Sequence, residues 1–186
     1  MKTKIVTSAL LSLALFSCSD SDNESKKEFK LFTTSNTTGK VSVTDMSTTT
    51  PMTSSFAVAS TDADGAYYFD DTDEFILASR SNNKVELYDG VSEAITSAAT
   101  SLTLGASSTV DFNNAREIAV MGDKVVVTQD QNAANSNTNK LIVYQKTATG
   151  FTLLNSYTVN FKTWGIHLEG NTLYAVADLT ADIVVF

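Results

Sequence analysis

Few residues of this chain have the chemistry of a catalytic or metal-binding group. The sequence contains one histidine, His167, and one cysteine, Cys18. One histidine does not make a zinc site without other strong ligands, and a Ser-His-Asp triad would have to use His167 as its base. Gly-x-Ser-x-Gly, Gly-x-Gly-x-x-Gly and Walker-type sequences do not occur. We therefore expect His167 to be a partly exposed structural residue.

Acidic residues are concentrated in one stretch of the chain. They are Asp62, Asp64, Asp70, Asp71, Asp73 and Glu74. Calcium binds carboxylate oxygens, and Asp62-Ala63-Asp64-Gly65 matches the first residues of a calcium-binding loop. The twelfth position of such a loop is Asp73 here, where an EF-hand has glutamate. Asp62 and Asp64 are candidate calcium ligands on this incomplete match, and turn formation with surface solvation is the alternative.

The N-terminal residues have the pattern of an export signal. Two lysines precede an apolar stretch at residues 5–16, which has the length of a signal-peptide core and is too short for a typical membrane span. Leu15-Phe16-Ser17-Cys18 resembles the lipobox of bacterial lipoproteins, although a small residue is more usual than Phe16. The resemblance implies removal of residues 1–17 and a lipid anchor at Cys18. The alternative is a buried cysteine in an uncleaved leader.

Residues 18–28 are polar and acidic, as in a flexible tether. The stretch from Ser19 to Ser25 resembles the acidic export signal of surface lipoproteins in Bacteroidetes-type bacteria. That resemblance implies a protein anchored in the outer membrane and exposed at the cell surface. A solvated linker without any sorting role is the alternative.

The composition limits the classes of partner. The formal net charge is -8, and no basic cluster offsets it, so the protein repels phosphate backbones and nucleic-acid binding is not expected. Hydrophobic residues make up 42% of the chain, which is enough for a core. With one cysteine there is no internal disulfide, and the fold must be held by that core.

Internal repeats organise the rest of the chain. One short apolar pattern occurs four times, at Lys40–Asp45, Lys84–Asp89, Lys140–Tyr144 and Asp182–Phe186. A second pattern precedes each copy, at Leu31–Asn36, Phe75–Arg80, Val125–Asp130 and Leu173–Asp178. Each pair predicts two strands joined by a polar hairpin, with a further strand before the later copies and another after the second and third. Four antiparallel strands in about 40 to 50 residues are typical of a propeller blade.

The last repeat has the clearest family likeness. Residues 164–178, WGIHLEGNTLYAVAD, resemble the blade repeat of lactonase, NHL and YVTN-type propellers. We predict an all-β fold, a propeller-like array of four-stranded antiparallel blades. The blades cover about residues 29–60, 61–108, 109–160 and 161–186. About three and a half blades are fewer than a closed propeller usually has, so we expect an incomplete array from the N-terminal part of a longer protein. A β-sandwich is the alternative.

The repeats also predict which side chains are packed. Val85, Leu87, Leu141 and Val143 should face layers between neighbouring blades, because strands enclosed by sheets on both sides are apolar on both faces. The polar loop at residues 131–139 reads as exposed, and we expect a side chain such as Asn135 to contribute less than about 0.5 kcal/mol to stability.

Two functions are compatible with these observations. The first is a cell-surface lipoprotein that acts as a non-catalytic binding or scaffold propeller for a protein or glycan ligand, with calcium as the only cofactor considered. The alternative is a lactonase-like propeller hydrolase with a metal in the central channel. Such a metal needs carboxylate and Asn ligands at the inner strand ends, and the neighbourhoods of Glu117 and Gly165 are candidates. Fold alone does not decide between them.

Overall fold

The computed structural model describes residues 30–47, 49–178 and 183–185. The proposed signal peptide, Cys18 and the acidic tether lie outside these residues. The described chain is almost entirely antiparallel β-structure, with one short helix, α1 (Val91–Thr96), and one 3-10 turn (Ala133–Asn135). None of the helices in this part of the chain is long and apolar enough to cross a membrane.

The strands form four separate sheets, in which each strand pairs with its neighbours in sequence. Sheet 1 contains β1 (Lys30–Thr34), β2 (Lys40–Asp45) and β3 (Met52–Ala57). Sheet 2 contains β4 (Ala63–Phe69), β5 (Glu74–Ser79), β6 (Lys84–Asp89) and β7 (Thr103–Ser107). Sheet 3 contains β8 (Ala115–Met121), β9 (Lys124–Gln129), β10 (Asn139–Thr147) and β11 (Gly150–Val159). Sheet 4 contains β12 (Thr163–Glu169), β13 (Thr172–Ala177) and β14 (Ile183–Val185).

The arrangement of the core distinguishes a propeller from a sandwich. Along β5, Phe75 and Leu77 pack in a layer with sheet 1, whereas Ile76 and Ala78 pack in a layer with sheet 3. Side chains of β9 alternate in the same way between sheets 2 and 4. A sandwich buries one face of each sheet, but the middle sheets here are buried on both faces. The described residues of the four copies of the apolar pattern also lie in four different sheets. The predicted fold class is therefore confirmed.

All four residues predicted to be packed face layers between neighbouring sheets, although they are buried to different degrees. Val85, Leu87 and Leu141 are at most 3% exposed. Val143 is partly buried and, like Leu141, lines an apolar groove between sheets 3 and 4. Leu154, Tyr157, Leu168 and Leu173 also line this groove, which has a volume of about 600 Å³. Val143 nevertheless packs against the cluster of Val126, Leu141 and Leu173, so it faces the layer between sheets 3 and 4 as predicted.

Helix α1 was not predicted from the sequence. It begins after Gly90, whose φ of +67° makes a turn that few other residues adopt. Val91 and Ala94 pack into the layer between sheets 1 and 2. Asp73, on the β4–β5 turn, accepts hydrogen bonds from the backbone nitrogen and hydroxyl of Ser92. A six-residue segment is too short to be helical by itself, so contacts from distant residues stabilise it.

Candidate functional site

A polar cavity lies where the first strands of sheets 2 and 3 begin. Strands β4 and β8 are neighbours, as are β8 and β12, and β1 contacts β4. We call the cavity at this end of the strands the inner cavity. Its volume is about 600 Å³. Its polar walls are formed mainly by Thr34, Ser35, Asp64, Arg80, Arg116 and Glu117.

An irregularity of strand pairing directs side chains to this end. In β4 the register shifts after Ala63, in β8 after Ala115 and in β12 after Thr163. Such a bulge leaves the following residue outside the regular ladder and re-aims its side chain. The residues that follow are Asp64, Arg116 and Trp164, one in each sheet. We call this the first repeat position.

A second repeat position lies just beyond the next strand. Arg80, Asp130 and Asp178 follow β5, β9 and β13. Each backbone nitrogen donates to the carbonyl of the residue just before the first strand, Asp62, Asn114 and Lys162, at 2.8, 3.1 and 3.1 Å. This repeated bond holds the end of the second strand against the start of the first, so the two positions are neighbours in every sheet.

The two repeat positions carry opposite charges in sheets 2 and 3. In sheet 2, Arg80 Nη1 donates to Asp64 Oδ2 at 2.8 Å. In sheet 3 the charges are exchanged, and Arg116 Nη1 donates to Asp130 Oδ2 at 3.1 Å. Asp130 is well buried, with a side chain 6% exposed. Each guanidinium is therefore oriented by a carboxylate of its own sheet.

The same arginines also connect adjacent sheets. Arg80 Nη2 donates to Asn114 Oδ1 in sheet 3 at 2.6 Å. The guanidinium of Arg116 lies over the ring of Trp164 in sheet 4, with 4.1 Å between Cζ and the ring centroid. A cation over an indole face is attracted by the ring quadrupole. Together these contacts make a continuous row of polar and aromatic groups across three sheets.

Glu117 is the carboxylate of the inner cavity whose protonation is most affected by its surroundings. Burial raises its pKa above the ordinary value, because the charged form loses hydration. Arg116 lowers the pKa in part, with its Nε 3.8 Å from Glu117 Oε1. The negative charges of Asp64 and Asp130 raise it further. Glu117 therefore holds a proton more readily than an exposed glutamate.

The candidate calcium ligands are bound to an arginine. Arg80 lies between them, with Nε 3.7 Å from Asp62 Oδ2 and Nη1 2.8 Å from Asp64 Oδ2. In the part of the chain that the structure describes, no group of three or more His, Cys, Asp or Glu residues is placed to hold a metal ion. A guanidinium thus supplies the positive charge beside these two carboxylates, and calcium binding stays a prediction.

The other acidic residues of that stretch lie elsewhere. Asp73 binds Ser92, as described above, and Glu74 pairs with Lys146 at 2.6 Å. His167 is exposed on β12, with its ring centroid 6.4 Å from that of Tyr174. It belongs to the open face of sheet 4. These residues do not join the inner cavity.

The loop at residues 131–139 supports the inner cavity. The Asn135 side chain donates to the carbonyls of Asp130 and Asn113 and accepts from the backbone nitrogens of Asn132 and Thr138. These bonds show that Asn135 is not a free surface side chain, whereas the small stability change expected for its removal stays a prediction. Its removal would leave polar backbone groups beside Asp130 without partners.

Sequence reasoning found Glu117 but not the pairs around it. The sequence patterns do not single out Arg80 and Arg116, and they give Trp164 only as the first residue of the last blade repeat. A signal was present, however. Aligning the repeats places Asp64, Arg116 and Trp164 in one column and Arg80, Asp130 and Asp178 in another. Opposite charges that change places between the two columns indicate that the two positions are in contact. The alignment depends on where the bulges shift the strand register, however, and residue types alone do not show the bulges.

Comparison with known proteins bears on the fold. The chain matches no protein-family profile and no curated protein. A functionally unknown protein from Desulfotomaculum acetoxidans superposes with a TM-score of 0.64 at 13% identity, over 84% of this chain and 50% of that one. Virginiamycin B lyase from Staphylococcus aureus superposes with a TM-score of 0.56 at 15% identity, over 84% of this chain and 47% of that one. A chain of a nidogen/laminin complex superposes with a TM-score of 0.54 at 12% identity, over 86% of this chain and 60% of that one.

These solved structures include propeller-type proteins, among them both an enzyme and a binding protein. This chain spans about half the length of the structures it matches. The likeness agrees with sheets buried on both faces and first strands that lie side by side. The described part of this chain is therefore a β-propeller-like array of four antiparallel sheets.

Proposed function

We propose that this chain is a non-catalytic binding domain whose ligand site is the inner cavity. The observation that carries the proposal is the way in which the cavity's charged groups are held. Arg80 and Arg116 are each bound to a carboxylate of the same sheet and to a group of the next sheet. Side chains fixed in this way lose little freedom on binding, which favours recognition of a polar ligand.

Unsatisfied polar atoms support the same site. Among the described residues, the buried side-chain atoms without a hydrogen-bond partner are Asp62 Oδ1, Arg80 Nε, Arg116 Nε and Asp130 Oδ1. All four belong to the ion pairs around the inner cavity. Buried polar groups are normally satisfied, and exceptions are frequent at functional sites. A polar ligand that shifted these pairs slightly would improve their hydrogen bonding.

A hydrolase is the second candidate, and Glu117 is the observation that favours it. A carboxyl group with a raised pKa is suited to donate a proton. The lactonase-like propeller hydrolase, which is the alternative function predicted from the sequence, also needs a metal in the central channel. The test is hydrolysis of a simple lactone by the full chain with added Ca²⁺ or Mg²⁺. Activity that is lost in Glu117→Gln would support the hydrolase over the binding domain.

The binding site can be tested with arrays of short peptides and of glycans, probed with the purified full chain in detergent. We expect retention of a subset of probes by the parent protein. Glu117→Gln should weaken that retention by about tenfold, because hydrogen bonds to charged groups are worth about 1.5–3 kcal/mol. Asp71→Asn is the control, since Asp71 is exposed at the opposite end of β4. Equal retention by the Glu117 variant and the parent would rule out the inner cavity as the site.

We further propose that a lipid anchor at Cys18 displays this domain at the outer-membrane surface. Cys18→Ser should abolish incorporation of labelled fatty acid and release the protein from the membrane fraction, because the acyl chains provide the hydrophobic attachment. Protease treatment of intact cells measures surface exposure separately. Replacement of Asp20, Asp22 and Glu24 by Ala should reduce exposure without reducing lipidation. Fatty-acid labelling of the Cys18 variant would contradict the anchor.

A further inference from the structure

Sheet 4 differs from sheets 2 and 3 at the two repeat positions. Its first position is Trp164 and its second is Asp178, so the arginine that pairs with the carboxylate in the other sheets is missing. Asp178 Oδ1 accepts a hydrogen bond from the backbone nitrogen of Lys162 at 3.2 Å. Across residues 30–47, 49–178 and 183–185, no lysine or arginine forms an ion pair with Asp178. Its carboxylate is only half-buried, so a ligand can approach it.

Trp164 supplies an aromatic surface beside that carboxylate. The indole is 56% exposed, which is unusual for so large an apolar side chain. Arg116 covers one face of the ring. The exposed fraction leaves part of the ring open to solvent. An aromatic face and a carboxylate in neighbouring positions form a site for an organic cation.

The charge around the inner cavity favours a cationic ligand. Five carboxylates lie at the ends of these strands, namely Asp62, Asp64, Glu117, Asp130 and Asp178. The guanidiniums of Arg80 and Arg116 and the ammonium of Lys162, which precedes β12, offset only part of that charge. The protein as a whole has a net charge of -8. Such a field attracts cations to a cleft and repels anions.

We propose that Trp164 and Asp178 bind an arginine side chain of a peptide or protein partner, in the place that Arg80 and Arg116 take in the neighbouring sheets. The proposal rests on the proposed binding function, names its ligand class and extends the ligand site beyond the lining of the inner cavity to the adjoining repeat positions of sheet 4. A guanidinium is planar and weakly hydrated, so it stacks on an indole and pairs with a carboxylate at the same time. The chain itself makes a guanidinium–carboxylate contact at the repeat positions of sheets 2 and 3.

The experiment uses intrinsic fluorescence, because Trp164 is the only tryptophan of the sequence. The probes are the tripeptides acetyl-Gly-Arg-Gly-amide and acetyl-Gly-citrulline-Gly-amide, titrated into the full chain. Citrulline has the shape of arginine without its charge. We expect a saturable change of Trp164 emission with the arginine peptide that weakens as salt is added, and none with the citrulline peptide.

Two variants locate the binding. Asp178→Asn should weaken binding of the arginine peptide by about tenfold, whereas Asp71→Asn should leave it unchanged. Trp164→Ala, followed by calorimetry, should abolish binding, and Trp164→Phe should retain part of it. Circular dichroism checks that each variant is folded. Equal affinity of the Asp178 variant and the parent, or equal binding of the citrulline peptide, would overturn the proposal.

The outcomes also separate this inference from the proposed function. Retention of glycans that depends on Glu117 and Trp164, with no binding of the arginine peptide, would leave the binding function standing and make the ligand a sugar. Retention of other peptides that depends on Glu117 but not on Asp178 would likewise overturn only the arginine site. If no probe on the arrays were retained in a way that depends on Glu117, the binding function itself would be contradicted.

Discussion

Gly65→Ala should lower the free energy of unfolding by about 2 kcal/mol or more. A Cβ at this position would lie 2.6 Å from the backbone nitrogen of Ile118 and 2.8 Å from the carbonyl carbon of Glu117. These atoms belong to the backbone of β8 and cannot turn aside as a flexible side chain could. The added methyl would therefore push sheets 2 and 3 apart, and overpacking of this kind is costly. Urea unfolding followed by circular dichroism measures the effect.

Gly165→Ala is the matched control for this prediction. Gly165 follows Trp164 as Gly65 follows Asp64, but a Cβ there meets no atom within 4 Å. We expect a change within about 0.5 kcal/mol. Gly65→Ala should also weaken ligand retention, because β8 carries Arg116 and Glu117. Similar unfolding midpoints for the two variants would show that β4 and β8 are not closely packed.

Leu87→Ala should cost about 2–5 kcal/mol of stability. Leu87 is 3% exposed and packs in the layer between sheets 2 and 3. Its truncation removes buried methyl groups and leaves a cavity that neighbouring sheets, each held by its own hydrogen bonds, fill only in part. The measurement is again the change of the unfolding midpoint in urea at constant slope.

Leu154→Ala provides the same chemical change at an exposed site. Leu154 lies on β11 beside the apolar groove and is 52% exposed, so its loss should cost less than about 1 kcal/mol. The contrast between the two leucines tests the stacking of sheets directly. If both variants were destabilised equally, the layer between sheets 2 and 3 would not be the closed core described above.

Strand positions and their order were predictable from residue types alone. The β5 sequence Glu74–Ser79 is apolar at four successive residues, and such a run indicates a strand enclosed on both faces. The turn residues Gly122 and Gly170 adopt φ near +60°, as glycine in a tight hairpin does. These features depend on residues that are close in sequence, which is why the repeat pattern was sufficient to predict the fold class.

The degree of burial and the hydrogen bonding of individual side chains were not predictable from residue types. Leu141 and Val143 have the same apolar character and line the same groove, yet Leu141 is 2% exposed and Val143 is only partly buried. Asn135 lies in a polar loop, yet its amide donates to the carbonyl of Asn113, which is distant in sequence, as well as to that of Asp130. Burial and hydrogen bonding of this kind are properties of an assembled structure, and local composition does not indicate them.

Residue spacing along the chain was enough to establish the repeat, the sheets and the acidic character of this protein, because hydrophobic periodicity and net charge are local or additive properties. The inner cavity and its ion pairs were decided by the tertiary structure. Asp64 and Arg80, or Arg116 and Asp130, are 14 to 16 residues apart and meet only because a bulge follows the first residue of β4 and β8. Contact of Arg116 with Trp164 depends further on how sheets 3 and 4 pack, since the two residues belong to different hydrogen-bonded units.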